Sequence, residues 1–256
     1  MSRFVTNPNL PDSEVVLAAV GIKYCSTLEQ ALSEQGIELI PVPLNPSLDT
    51  RLQSHADLSL LHIKSEFVIT ALETSDPEFL YRLDSEGFRV SESDKLMRRE
   101  YPGDCGLNVC IARKYCICNR KAVSEEIITK LNDKGLTPNY VNQGYSKCST
   151  CIVDKRSVIT SDRGIADTMR NLGFDVLLIS NGGIILDGFD YGFIGGSAFL
   201  SSPDRICFTG DFRNFTDDTE KRVMSFLESR KINHTFLTNT PMFDIGGIIQ
   251  LKEKEN

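Results

Sequence analysis

Gln143-Gly144-Tyr145-Ser146-Lys147-Cys148 opens the stretch that decides the fold. It continues through Ile159-Thr160-Ser161-Asp162 and Gly188-Phe189-Asp190-Tyr191-Gly192-Phe193-Ile194-Gly195-Gly196, and it closes on Phe208-Thr209-Gly210-Asp211. Glycines, acids, a lysine and a cysteine stand at the edges of short apolar runs, where loops meet strands and chemistry usually resides. The stretch also repeats itself. Residues 151–162 align without a gap on residues 200–211, matching Arg156 to Arg205, Thr160 to Thr209 and Asp162 to Asp211.

Working outward, the same strand–strand–helix–strand pattern recurs four times. Apolar runs at 58–63 and 66–71 read as paired strands. Asp76-Pro77 then caps a helix that Gly87 stops, and a strand starts at Phe88. Runs at 107–112 and 115–119 precede a helix capped by Ser124 and a strand over 136–141. Runs at 150–153 and 157–160 precede a helix over 162–172 and a strand over 174–180. The fourth unit has strands at 198–200 and 206–209, a helix opening at Asp217-x-x-Glu220 and a strand at 234–237. Equivalent points at Leu61, Cys110, Cys151 and Leu200 are spaced by roughly 40–50 residues, a period typical of repeat architectures or close to it. The last strand, 248–251, has no helix after it. The N-terminus supplies what it lacks: a strand at 15–22, a helix with a capping box at Ser26-Thr-Leu-Glu29, and a strand at 37–42. Joining the two ends makes a fifth unit and removes the open sheet edges. Residues 1–12 read as a loose arm and residues 252–256 as a solvated tail.

Composition bounds the function. With 256 residues, 41% hydrophobic and 25% charged, the chain can bury a full core as one domain spanning 1–256. A net charge of -7 with no basic run argues against nucleic acid and anionic membranes as partners. No signal peptide or membrane-length apolar run is apparent, so a cytoplasmic location is expected. Cys148-x-x-Cys151 and Cys116-x-Cys118 have the short spacing of thiolate metal ligands. However, Cys110, Cys116, Cys118, Cys151 and Cys207 fall inside β-like runs, which favours small buried hydrophobes. No metal and no cofactor is expected.

Five ββαβ units closed by the termini resemble the penteins, an α/β fold described as a five-bladed propeller with pseudo-fivefold symmetry. That fold belongs to guanidino-group-modifying enzymes: arginine and agmatine deiminases, amidinotransferases and dimethylarginine dimethylaminohydrolase. A noncatalytic ribosome anti-association factor shares it. More closely, Gln143-Gly-Tyr-x-Lys-Cys-Ser149, Ile159-Thr-Ser-Asp-x-x-Ile165 and the 188–196 glycine stretch look like an uncharacterised bacterial family assigned to this fold. The resemblance implies an axial cavity. It also implies a nucleophilic cysteine after a Gly-Gly pair near the C-terminus. Here that stretch reads Gly246-Gly247-Ile248-Ile249-Gln250, with glutamine in the cysteine's place. His55, His62 and His234 match no catalytic histidine motif, so the standard cysteine–histidine deiminase chemistry is not expected.

Candidate site residues are therefore chosen from the loop–strand junctions. Cys148, beside the Lys147 charge, is the best thiol nucleophile, against the alternative of a semi-buried bystander. Asp162 and Asp211 complete the catalytic candidates, although each also fits a helix-capping position. Asp104, Asn108, Tyr145, Lys147 and Asp190 are expected to line the cavity. Carboxylates around one lysine suit a cationic or zwitterionic small molecule, such as an amine or guanidinium. The alternative is a noncatalytic pentein acting as a macromolecular interaction module. The 188–196 glycines do not open a helix, which excludes a phosphate loop. His62, on an apolar strand, reads as core.

Overall fold

The helix crossovers dictate the topology. A strand that must return parallel to its neighbour needs a helix-length connection, whereas an antiparallel pair needs only a turn. The structure, a computed structural model describing residues 1–255, realises both in every unit. The chain begins with β1 (Ser2–Phe4), β2 (Val15–Gly21), α1 (Ile22–Ser33) and β3 (Glu38–Val42). A one-turn helix, α2 (Ala56–Ser59), leads into β4 (Leu60–Lys64), β5 (Phe67–Thr70), α3 (Pro77–Ser85) and β6 (Arg89–Glu92). The next unit is β7 (Cys110–Ala112), β8 (Tyr115–Cys118), α4 (Glu125–Asp133) and β9 (Thr137–Tyr140). It is followed by β10 (Thr150–Ile152), β11 (Ser157–Thr160), α5 (Arg163–Asn171) and β12 (Asp175–Leu178). The last units are β13 (Ala198–Ser202), β14 (Arg205–Phe208), α6 (Thr219–Glu228) and β15 (Asn233–Phe236), then β16 (Ile249–Lys254) alone.

Five separate sheets result. In the four chain-order units the first two strands are antiparallel and the third is parallel to the second. The fifth sheet joins the ends. β16 runs antiparallel to β2, with Gln250 opposite Ala18, and β2 runs parallel to β3. The expected caps are present: Asp76 accepts from the amides of Glu78 and Phe79, Ser124 from that of Ile127 and Asp162 from that of Ile165.

Three expectations need correction. Helix α1 starts at Ile22, four residues before the Ser26 box. Its first-turn amide on Lys23 donates instead to Ser54 Oγ at 3.0 Å, so the cap comes from a distant segment. The N-terminal arm is not loose, because β1 adds to the closing sheet beside β16. Phe4 stacks edge-on to Phe88 there. Nor is the tail solvated through 252–254. β16 continues to Lys254 because the Glu253 carboxylate, 1% exposed, accepts from Arg3 and from the amides of Asp12 and Ser13.

The apolar core forms four clusters that pass from unit to unit. One joins the closing sheet to β4, β5 and α3, through Leu17, Ile40, Leu60, Val68, Phe79 and Leu251. A second links β4 and β5 to β7, β8 and α4. The largest links β7 and β8 to the next two units, and the fourth returns through Phe199 and Cys207 to β2 and α1. Each sheet thus buries its apolar face against a neighbour, and the succession ends where it began. His62 is the core residue expected, with its ring nitrogens 2.7 Å from Ser65 O and 2.9 Å from Gln250 O.

Candidate functional site

Repetition places the loops that enter β4, β7, β10, β13 and β16 in equivalent positions, and hydrogen bonds tie each to the next. Asn108 Nδ2 donates to Asp57 O at 3.4 Å, and its Oδ1 accepts from the amides of Lys147 and Cys148 at 2.8 and 3.2 Å. The Gly196 amide donates to Cys148 O at 2.9 Å, and the Gly247 amide to Gly196 O at 3.0 Å. The Asp57 amide donates back to Gly246 O at 3.1 Å, closing the circuit. The glycines are required by this crowding. A Cβ on Gly196 would strike the Asp244 carboxylate, and one on Gly247, whose φ is 76°, would strike Lys147 Nζ.

Inside the circuit sits a buried polar cluster. The Cys148 thiol donates to Asp57 Oδ2 at 2.9 Å, and Asn108 Nδ2 lies 3.2 Å from the sulfur. Lys147 Nζ is 3.4 Å from Asp57 Oδ2 and donates to Gly195 O at 3.1 Å. His55 Nδ1 is 3.9 Å from Asp244 Oδ1. Asp244 is itself held by the amides of Phe193 and Gly246, each at 2.9 Å. Eight buried side-chain polar atoms have no partner among the described residues, and two of them, Asp57 Oδ1 and His55 Nε2, belong to this cluster. Each such group calls for an explanation, and here both lie in one cluster beside a cavity.

The environment sets the protonation. Burial, with Asp57 and then Asp244 adding to it, raises the Cys148 thiol well above its ordinary value, against the opposing Lys147 charge. The resting sulfur is therefore a thiol, not a thiolate. Burial likewise raises Asp244, opposed by His55 and the two amides. One side of the cluster opens on a cavity of about 220 Å³, lined by Leu52, His55, Tyr145, Cys148, Asp244 and the 186–193 segment. A much smaller hollow, about 20 Å³, touches Asp57, Lys147 and Gln250. The polar groups thus both pair with one another and wall a usable space.

Of the sequence candidates, Asn108, Lys147 and Cys148 are in the cluster, and Tyr145 lines the cavity. Asp104 is one step removed, buried and hydrogen-bonded to Tyr145 OH. Burial raises Asp104, and Tyr145 opposes this. Asp190 is exposed at the cavity's rim. Asp162 and Asp211 are not brought to Cys148. Asp162 caps α5 and meets Gln143, whereas Asp211 is clasped by the exposed Arg213 guanidinium. His55, Asp57 and Asp244 were missed. Their signal was positional: each lies in a junction equivalent to that of Asn108 and Cys148, and Asp244 stands just before the Gly246-Gly247 pair. Gln250 is buried in β16, its side-chain amide donating to Leu200 O at 3.2 Å. A cysteine and a histidine from two different junctions, Cys148 and His55, are nevertheless brought near each other. Cys148 Sγ, an Asp57 oxygen and a His55 nitrogen all lie within 4.8 Å of one another.

Comparison with known proteins fits this geometry. A family model described as "Family of unknown function (DUF6873)" matches residues 19–249. The chain belongs to that family. No curated protein matches it by sequence. Among solved structures, an amidinotransferase of the saxitoxin biosynthetic pathway from Microseira wollei superposes with a TM-score of 0.64 at 6% identity, covering 98% of each chain. An inosamine-phosphate amidinotransferase from Streptomyces griseus gives 0.57 at 10% identity, covering 99% of this chain and 98% of that one. A C. jejuni agmatine deiminase gives 0.51 at 12% identity, covering 88% and 86%. This DUF6873 member shares the pentein fold of these structural neighbours and has five small sheets. No helix among the described residues is long and apolar enough to cross a membrane.

Proposed function

We propose that the cavity binds a small cationic compound carrying a guanidino or amino group, with the Cys148 thiol facing it. One observation carries the reading: Asp57, a buried carboxylate whose Oδ1 has no partner, holds through Oδ2 the Cys148 thiol that lines a cavity walled by aromatic rings. Of the two buried acids, Asp57 faces the one buried lysine, Lys147, and Asp244 faces only the His55 ring and two backbone amides, so lysine charge is supplied to one acid of the two. Tyr145 and Phe193 lie 6.0 Å apart and Tyr191 stacks edge-on to Phe193, offering π faces to a cation. At the mouth, the chain's own Arg51 guanidinium already rests 4.2 Å over the Phe189 ring.

A bound cation would also change the thiol. Its charge offsets Asp57 and Asp244, the acids that add to burial in holding the Cys148 proton. Thiolate then forms only in the complex, its proton passing to Asp57 Oδ2, which already accepts it. Attack on the guanidinium carbon would give a tetrahedral adduct. Expulsion of ammonia or an amine carrying that proton would leave a thiouronium on Cys148, and water would release it as a urea and restore the thiol. This would be a hydrolytic route distinct from one at the Gln250 position.

The test is calorimetry with agmatine, arginine and simple alkylguanidines, followed by intact-mass analysis of the incubated protein. Binding that is lost in Asp57→Asn and competes between guanidines is the expected result. Absence of binding for every guanidine and amine tried, or binding unchanged in Asp57→Asn, would refute the reading.

A further inference from the structure

We propose that His55, Asp57 and Cys148 form a divalent transition-metal site, and that zinc is the ion their donors suit. The three side chains are 1%, 3% and 2% exposed, and one donor atom from each falls within 4.8 Å of the others. The site does not rest on proximity alone. Asp57 Oδ1 and His55 Nε2 are buried without any partner, two unsatisfied positions in the same cluster. One imidazole nitrogen, one carboxylate oxygen and one thiolate sulfur make a borderline-soft set of the kind zinc takes. Three protein ligands with a cavity beside them leave the fourth tetrahedral position open to water or to a small molecule.

The surroundings already resemble an outer shell. Each ligand has a neighbour placed to orient it: Asp244 beside His55 Nδ1 at 3.9 Å, Lys147 beside Asp57 at 3.4 Å, and Asn108 Nδ2 at 3.2 Å from the Cys148 sulfur. Asn108 and Lys147 are held in turn by backbone groups, so the shell is rigid. Charge also closes. Binding displaces one proton from the Cys148 thiol and forms a metal–sulfur bond. The dication then meets two anions, Asp57 and the thiolate. The cysteine pairs first suggested by spacing do not serve. Cys151, Cys116 and Cys118 pack within apolar clusters, and Cys148 finds its companions on a different unit.

This site uses the same cavity as the proposed ligand but does not depend on it. Zinc and an organic cation would compete for Asp57, so the two readings fail separately. Metal-stripped, reduced protein is titrated with Co²⁺ and then Zn²⁺. One equivalent of cobalt should bind with a thiolate-to-metal charge-transfer band and tetrahedral visible bands, both bleached by zinc. Calorimetry in buffers of different ionisation enthalpy should show about one proton released. Cys148→Ser should abolish the charge-transfer band, Asn108→Ala should weaken zinc about 10-fold, and Cys118→Ser should change neither. Cobalt bound without the thiolate band, a band that persists in Cys148→Ser, or no stoichiometric binding to the wild-type chain would overturn the metal site. The wild-type spectrum decides even if a variant fails to fold. Agmatine binding to the stripped protein, with zinc failing to bind, removes the metal proposal alone. Zinc binding with no guanidine or amine affinity removes only the ligand proposal.

Discussion

Two buried carboxylates do opposite work in this chain. Glu253, where the termini meet, has both oxygens engaged: Oε1 takes Arg3 Nε at 2.9 Å, and Oε2 takes the amides of Asp12 and Ser13 at 2.6 and 3.0 Å. Asp57, at the junction before β4, is almost as buried, yet one oxygen receives a thiol and an ammonium while the other receives nothing. The first arrangement is what a structural acid needs, because desolvation is fully offset by charge-assisted bonds. The second leaves a cost that packing alone does not explain, and such local violations gather at functional sites.

The comparison is broken most easily through stability. Glu253→Ala strands Arg3 and two amides and should lower the unfolding free energy by about 3 kcal/mol in urea titrations. Asp57→Asn should cost less than about 1 kcal/mol, since sites built for binding are seldom optimised for stability. If Asp57→Asn were the more damaging, the distinction between the two acids would collapse.

Affinity should show the mirror image. Asp57→Asn should weaken a bound guanidine by about 1.5–3 kcal/mol, the value of a charged hydrogen bond. Asp211→Asn should leave calorimetric affinity unchanged, because that carboxylate is engaged by Arg213 at the surface.

A smaller effect is expected in pH titration. Burial raises Asp244 above the ordinary carboxyl value of 3.8. Between that value and the raised one, the folded chain holds more protons than the unfolded chain. The unfolding free energy contributed by this group must therefore fall as pH rises through the window. Acids nearer the surface, such as Asp211 and Asp217, lowered by their partners, act with the opposite sign: their contribution is lost as pH falls. The difference between wild type and Asp244→Asn isolates the first term, and a difference that is flat with pH would remove it.

The smallest signal is kinetic. At pH 8 iodoacetamide should label the half-buried Cys25 first and the Cys148 thiol far more slowly. Asp57→Asn, by removing the largest of the charges that raise the thiol, should speed Cys148 labelling several-fold by peptide mass spectrometry. Unchanged labelling would show that burial alone governs the sulfur.

How much of this was legible in advance follows from the range of each interaction. Asp76, Ser124 and Asp162 cap their helices by bonding amides two or three residues away, so the pattern along the chain is sufficient. The start of α1 was not legible, because the group that meets its first-turn amide is Ser54, across a loop. Nor was the anchoring of the arm and tail. A charged Lys-Glu-Lys run reads as solvated until Arg3 and two amides are seen to surround Glu253.

The sequence by itself determined the five-unit plan, since apolar periodicity, caps and an internal repeat are local properties copied from unit to unit. It also determined that the C-terminal strand must close on the N-terminal one, because that strand alone lacked a helix. Only the tertiary structure decided the site. Cys148 has a lysine as its sequence neighbour, but the groups that set its proton and its companions are Asp57, Asp244, Asn108 and His55, drawn from three other junctions. Each of those residues is unremarkable in its own segment. Electrostatics and desolvation act through space, and the circuit of backbone bonds that brings the junctions together exists only once the chain has folded.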